Sequence, residues 1–130
     1  EKENFSKKCK IIPKNVEIGW NDVKITPRTY IVVVTRHEQD EEAVEKSLKS
    51  NASYVGLIGS EQRADIVFQN LKDKGITEKQ LENVHSPIGL EIGAETPEEI
   101  AVSIMAEIIK IRRVSNPQNW FFKGLIKNIS

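Results

Sequence analysis

Two short apolar runs, each followed by a helical pattern, constrain this 130-residue chain more than any other feature. The first, Tyr30-Ile31-Val32-Val33-Val34-Thr35, is β-branched and lacks polar alternation, as a strand buried on both faces should. Asp40 then reads as a helix cap. Glu41 and Glu42 suit the positive end of that helix dipole, Val44 and Leu48 give its apolar stripe, and Asn51 is its stop. The second run, Ser53-Tyr54-Val55-Gly56-Leu57-Ile58, ends at Gly59. Ser60 caps the next helix, which carries Ala64, Val67, Phe68 and Leu71 at i, i+3, i+4 and i+7, and Gly75 is its left-handed terminator. Strands alternating with helices predict an α/β domain: a parallel sheet with flanking helices, whose ligands sit at the carboxyl ends of the strands.

The flanks read less evenly. Residues 1–29 are the hardest part, with Lys10-Ile11-Ile12 and Val16-Glu17-Ile18 as candidate short strands between Pro13 and Gly19. Thr77 with Gln80 has the form of a capping box for a short helix through Asn83, and the segment His85 to Ala94 reads as a glycine-bearing loop. Thr96-Pro97-Glu98-Glu99 is the strongest helix start in the chain. The helix beyond it is apolar almost all round from Ile100 to Ile111, which predicts burial in the middle of something. The last helix is expected over Gln118 to Asn128. The organisation is thus one domain over residues 1–113 and a C-terminal helical tail over 114–130.

Composition excludes several classes. Lys+Arg and Asp+Glu are both 19, so no global attraction to nucleic acid or to an anionic membrane is expected. A single cysteine, Cys9, can close no intrachain disulfide and builds no cysteine-rich zinc site. With no signal peptide and no membrane-spanning run, the expected location is the cytoplasm.

Three places carry candidate chemistry. Gly56-Leu57-Ile58-Gly59-Ser60 is a strand-to-helix turn, where free amides with Ser60 and Arg63 could hold a phosphate; its GxxG spacing is not the dinucleotide fingerprint GxGxxG. Its bland reading is a tight packing turn. The loop holding His85, Pro87, Gly89 and Gly93 feeds a capped helix, and its amides could face an anion or only close a connector. Thr35-Arg36-His37 leaves the first strand with a guanidinium fork and an imidazole, yet no carboxylate is spaced to complete a triad or a metal site. No catalytic residue and no metal ligand is assigned. The tail from Ile108 to Ser130 has five basic residues, no acidic one, and Trp120, Phe121 and Phe122 among them; packing on its own domain or a sister chain is the plainer reading than a partner or membrane surface.

Tyr54-Val55-Gly56-Leu57-Ile58-Gly59-Ser60, then His85-Ser86-Pro87-Ile88-Gly89-Leu90, then the long block from Ile92 to Ile108 resemble the XdhC/CoxF family, over roughly Tyr30 to Arg113. These are accessory factors for xanthine dehydrogenase and carbon monoxide dehydrogenase-type molybdoenzymes. The resemblance implies a Rossmann-like domain that transiently binds molybdenum cofactor (molybdopterin) and assists its sulfuration and insertion into the apo-enzyme. That is cofactor handling rather than substrate turnover.

The family ordinarily opens this domain with a βαβ unit bearing a Gly-x-Gly-His turn, and no such turn stands here. The expectation is a Rossmann-like sheet truncated on its N-terminal side, the chain being a fragment, or the missing unit lying on another chain, or this member having lost it. Its exposed strand edge favours a homodimer reached by the tail. Two other readings stand beside the leading one: an NAD(P)-binding oxidoreductase domain or its remnant, which the absence of GxGxxG and of an acid/base pair disfavours, and a non-catalytic interaction module.

Overall fold

The computed structural model describes residues 5–36 and 38–114. Three strands form one parallel sheet in the order β1-β2-β3: β1 Tyr30–Val33, β2 Tyr54–Leu57 and β3 Val84–His85. Tyr30 to Val33 pair in register with Tyr54 to Leu57, and Val55 and Gly56 with Val84 and His85. β2 is buried at every position, as a central strand should be.

Alternation along β2 assigns the two faces. Val55 and Leu57 join Val33 and Val84 in the core, against Ala43 and Val44 of helix α2 (Asp40–Leu48) and Ala64, Val67 and Leu71 of helix α3 (Glu61–Asp73). Tyr54 and Gly56 point the other way, toward helix α5 (Pro97–Val114), where the Tyr54 hydroxyl reaches Glu107. Two further α-helices are short, α1 Val16–Gly19 and α4 Glu78–Leu81, and a 3-10 turn over Trp20–Asp22 continues α1.

Local signals set most boundaries. Ser60 Oγ accepts from the Arg63 amide and starts α3, and Gly75, at φ +96°, closes it. Thr77 and Gln80 make the expected reciprocal capping box. Thr96 and Glu99 make another, with the Thr96 amide donating to Glu99 Oε1 at 2.9 Å and the Glu99 amide to Thr96 Oγ1 at 3.2 Å.

Five expectations need correction. The run from Tyr30 is not buried on both faces: β1 is an edge strand among the described residues, with Val32 exposed on it and Val34 exposed just beyond it. Val16-Glu17-Ile18 is helical rather than extended, because Asn15 Oδ1 accepts from the Ile18 amide at 2.9 Å and caps it; no strand forms over Lys10 to Ile12. Asp40 is not a cap: Gln39 occupies that position, and the buried Asp40 carboxylate turns to other partners. Val84–His85 is a third parallel strand inside what reads as loop, fixed by pairing with β2 rather than by local composition. Finally, α5 is not enclosed. Only Ser103 and Ile104 on it are buried, while Val102, Met105 and Ile109 lie open.

β1 stands at the edge of the sheet among the described residues. Also among them, no helix is long and apolar enough to cross a membrane. The helix expected over Gln118 to Asn128, and His37, lie outside the described residues.

Candidate functional site

The carboxyl ends of the strands open into a groove of about 750 Å³. One wall is the turn after β2, with Ile58, Gly59 and Glu61; the other is the loop from Pro87 to Ala94, and Ile100 and Ser103 of α5 lie between. The volume is that of a small-molecule or cofactor pocket. Its walls are mainly apolar, and Glu61 and Glu91 are its charged groups.

Glycines make this wall approachable. A Cβ on Gly93 would meet nothing within 4 Å, and one on Gly59 would touch only the stem of Arg63, at 3.6 Å. Main chain is therefore bare toward the groove at both places. Gly89 has a different reason to be glycine. It sits at φ +94°, and a Cβ there would lie 2.4 Å from Ser103 Oγ. The loop thus lies directly on α5, with the Leu90 amide donating to the Ser103 carbonyl at 3.1 Å.

A polar hub underlies the same loop. Glu107 Oε1 accepts from the Tyr54 hydroxyl at 2.6 Å and from the Gly89 amide at 3.3 Å, and His85 Nδ1 lies 3.7 Å from it. The His85 ring stacks on Tyr54 with centroids 4.7 Å apart. Burial, then the hydrogen bond to the Glu107 carboxylate, push the Tyr54 phenol well above its ordinary range. Tyr54 is therefore a fixed donor at any ordinary pH. The hub ties β2, β3, α5 and the groove loop at one carboxylate.

A second network fills the corner between β1, α2 and α3. Thr35 donates to Asp40 Oδ1, Arg63 Nε lies 3.2 Å from Asp40 Oδ2, and an Arg63 terminal nitrogen lies 3.6 Å from Glu41. Asp40 is 1% exposed, so this pairing offsets the cost of burying its charge.

The sequence candidates fall into distinct places. Gly59, Pro87, Gly89 and Gly93 line the groove together. Gly56 lies beneath it: a Cβ there would come 2.4 Å from Ile88 Cδ1 and 2.6 Å from the Tyr54 hydroxyl, so its role is close packing of the loop on the sheet. Ser60 caps α3 and is exposed; Thr35 and Arg63 belong to the Asp40 network; His85 belongs to the Glu107 hub; Arg36 is exposed at the surface. Sequence reasoning missed Tyr54, Glu107, Ser103 and the apolar walls. One signal was there to find: Glu107 is the only carboxylate between Ile100 and Ile111, and a lone acid on an apolar helix calls for a buried partner.

The XdhC Rossmann domain profile matches residues 1–108. The chain is 36% identical over 110 residues to a probable xanthine dehydrogenase subunit of Bacillus subtilis (strain 168), covering 84% of this chain and 31% of that protein. It is 35% identical over 88 residues to the uncharacterized protein YqeB of Escherichia coli (strain K12), covering 68% of this chain and 16% of that one. Among solved structures, a xanthine dehydrogenase from Bacillus halodurans superimposes with a TM-score of 0.67 at 29% identity, over 84% of this chain and 32% of its own. The chain spans about a third or less of the length of each of these proteins.

Proposed function

The chain belongs to the XdhC Rossmann domain family, and from that membership we propose that it acts in the maturation of a xanthine dehydrogenase-type molybdoenzyme, as a cytoplasmic accessory protein that holds molybdenum cofactor in the groove and presents it to the apo-enzyme. The observation that carries this reading is the convergence of the Gly59 turn and the Pro87 to Ala94 loop on one groove at the strand ends. Open α/β sheets bind ligands at that place.

The residues fit the group. A flat pterin ring suits walls of Ile58, Pro87, Ile88, Leu90 and Ile100. The amino and ring N–H groups of a pterin match the acceptor carboxylates of Glu61 and Glu91. The phosphate end would meet the main chain at Gly59, at the start of α3, where the helix amides attract it and the neighbouring Glu61 carboxylate opposes it. When bound, the molybdenum centre supplies the redox chemistry of the enzyme that receives it. The part of this chain is to bind, orient and shelter the cofactor, with Glu107 and Ser103 fixing the loop that forms one wall. The apo-enzyme would meet the open side of the groove.

The test is retention of molybdopterin and of NADH by the full chain in parallel ultrafiltration, with Ile92→Glu as the variant. Ile92 lines the groove and is 54% exposed, so the fold tolerates the added charge while the groove does not. Molybdopterin retained by the parent and lost from a folded Ile92→Glu chain is the expected result. Retention of NADH without molybdopterin would transfer the site to the oxidoreductase reading.

A further inference from the structure

We propose that the outer face of α5 is the interface of a symmetric homodimer, in which two copies of α5 cross antiparallel about Met105. The proposal does not depend on what the groove binds. α5 turns Ser103 and Ile104 to its own domain and still presents Val102, Met105 and Ile109 on the other side, at 61%, 53% and 52% exposure. Single exposed apolar residues are ordinary on a protein surface. A continuous row along one helix is not.

The order of residues along that row identifies the occupant. Glu98, Met105 and Arg112 lie seven positions apart, with Ala101, Val102 and Ile109 between them, and all six are exposed. This is the spacing of a helix–helix seam. A two-fold axis through Met105 sets Glu98 opposite the partner's Arg112, Met105 opposite itself, and Val102 beside the partner's Ile109. The row is therefore complementary to its own reverse, acid against base at both ends and apolar in the middle. A surface built for a different protein has no reason to match itself, whereas an isologous interface requires it. The acidic start and basic end of α5 also suit the helix dipole. That accounts for the signs of the charges but not for the apolar residues between them on the outward side.

The assay is sedimentation velocity on the full chain, with circular dichroism as the check on folding. The parent is expected to dimerise. Glu98→Arg and Arg112→Glu should each weaken the dimer by about tenfold or more in dissociation constant, since each replaces two attractions by two repulsions. The double variant restores both pairs with the signs exchanged and should recover the parental affinity to within about threefold. In a Cys9→Ser background, Met105→Cys should form a disulfide between copies under mild oxidation, because the axis brings that position face to face. A parent that stays monomeric at tens of micromolar, a double variant no stronger than the single ones, or a Met105→Cys chain that does not cross-link would each overturn the proposal. These positions are exposed on a formed helix, so a folded monomer in the single variants reads on association alone.

Discussion

Tyr54 illustrates how one residue joins the sheet to the site. Its ring occupies the face of β2 that Gly56 leaves bare, stacks on His85, and delivers its hydroxyl to Glu107, the carboxylate that also holds the groove loop through Gly89. Removing the hydroxyl in Tyr54→Phe deletes a hydrogen bond to a charged group, and should cost about 1.5–3 kcal/mol at neutral pH. The pH dependence has a defined sign. The phenol is raised from 10.0 in the folded chain, first by burial and then by Glu107, so the folded form keeps its proton where the unfolded form loses it. The stabilisation is whole below the ordinary tyrosine value and is lost as pH rises past it. Urea melts at pH 8 and pH 11 are expected to show the parent losing more stability than Tyr54→Phe over that interval. Parallel losses in the two proteins would remove Tyr54 from the alkaline response.

Elements whose start is written in four adjacent residues were legible in the sequence, and elements fixed by distant partners were not. The α5 start is of the first kind. Thr96→Ala should cost about 1 kcal/mol through the lost cap. Amides of Thr96 and Glu95 hold the Glu99 carboxylate below its usual range, so the contribution of that carboxylate is present at neutral pH and disappears as pH falls through that lowered value. Denaturant midpoints that differ between parent and Glu99→Ala at pH 7 and converge toward pH 2, while the Thr96→Ala deficit persists at both, are the expected pattern. β3 is of the second kind: two residues carry no periodicity, and only the register with Val55 and Gly56 makes them a strand. Asp40 has every local mark of a cap, yet Thr35 and Arg63 claim its carboxylate because a buried charge needs partners more than a helix end does. The groove was half legible for the same reason. Gly59 and the Pro87 to Gly93 loop announce themselves by glycine and proline, while Ile100 and Ser103 join them only because α5 folds back across the sheet.

At the scale of the whole molecule, the two faces of the sheet are unequally secured. α2 and α3 place Ala43, Val44, Ala64, Val67 and Leu71 in the core, whereas α5 contributes Ser103 and Ile104 as its buried residues. Its attachment rests on those two with the half-buried Ala106, Ile108 and Ile111, on the Glu107 hub and on the loop contacts at Gly89 and Leu90. Buried apolar area sets how much free energy resists local opening, so α5 and the groove loop should open together, well before β2. Native-state amide exchange can read this directly. In dilute solution the α5 amides and that of Leu90 should exchange with a common, low opening free energy, while those of Val55 and Leu57 should exchange only by global unfolding. If the outer row of α5 is covered by a second copy, mass action adds a further signature: protection of α5 rises with protein concentration. Protection in the β2 core should then rise by no more than the dimer stabilises the fold as a whole. Uniform protection across α5 and β2 at the lowest concentrations would show that the Glu107 hub secures the helix as firmly as the core secures the strands, and the groove loop would then be a fixed wall rather than one that opens with α5.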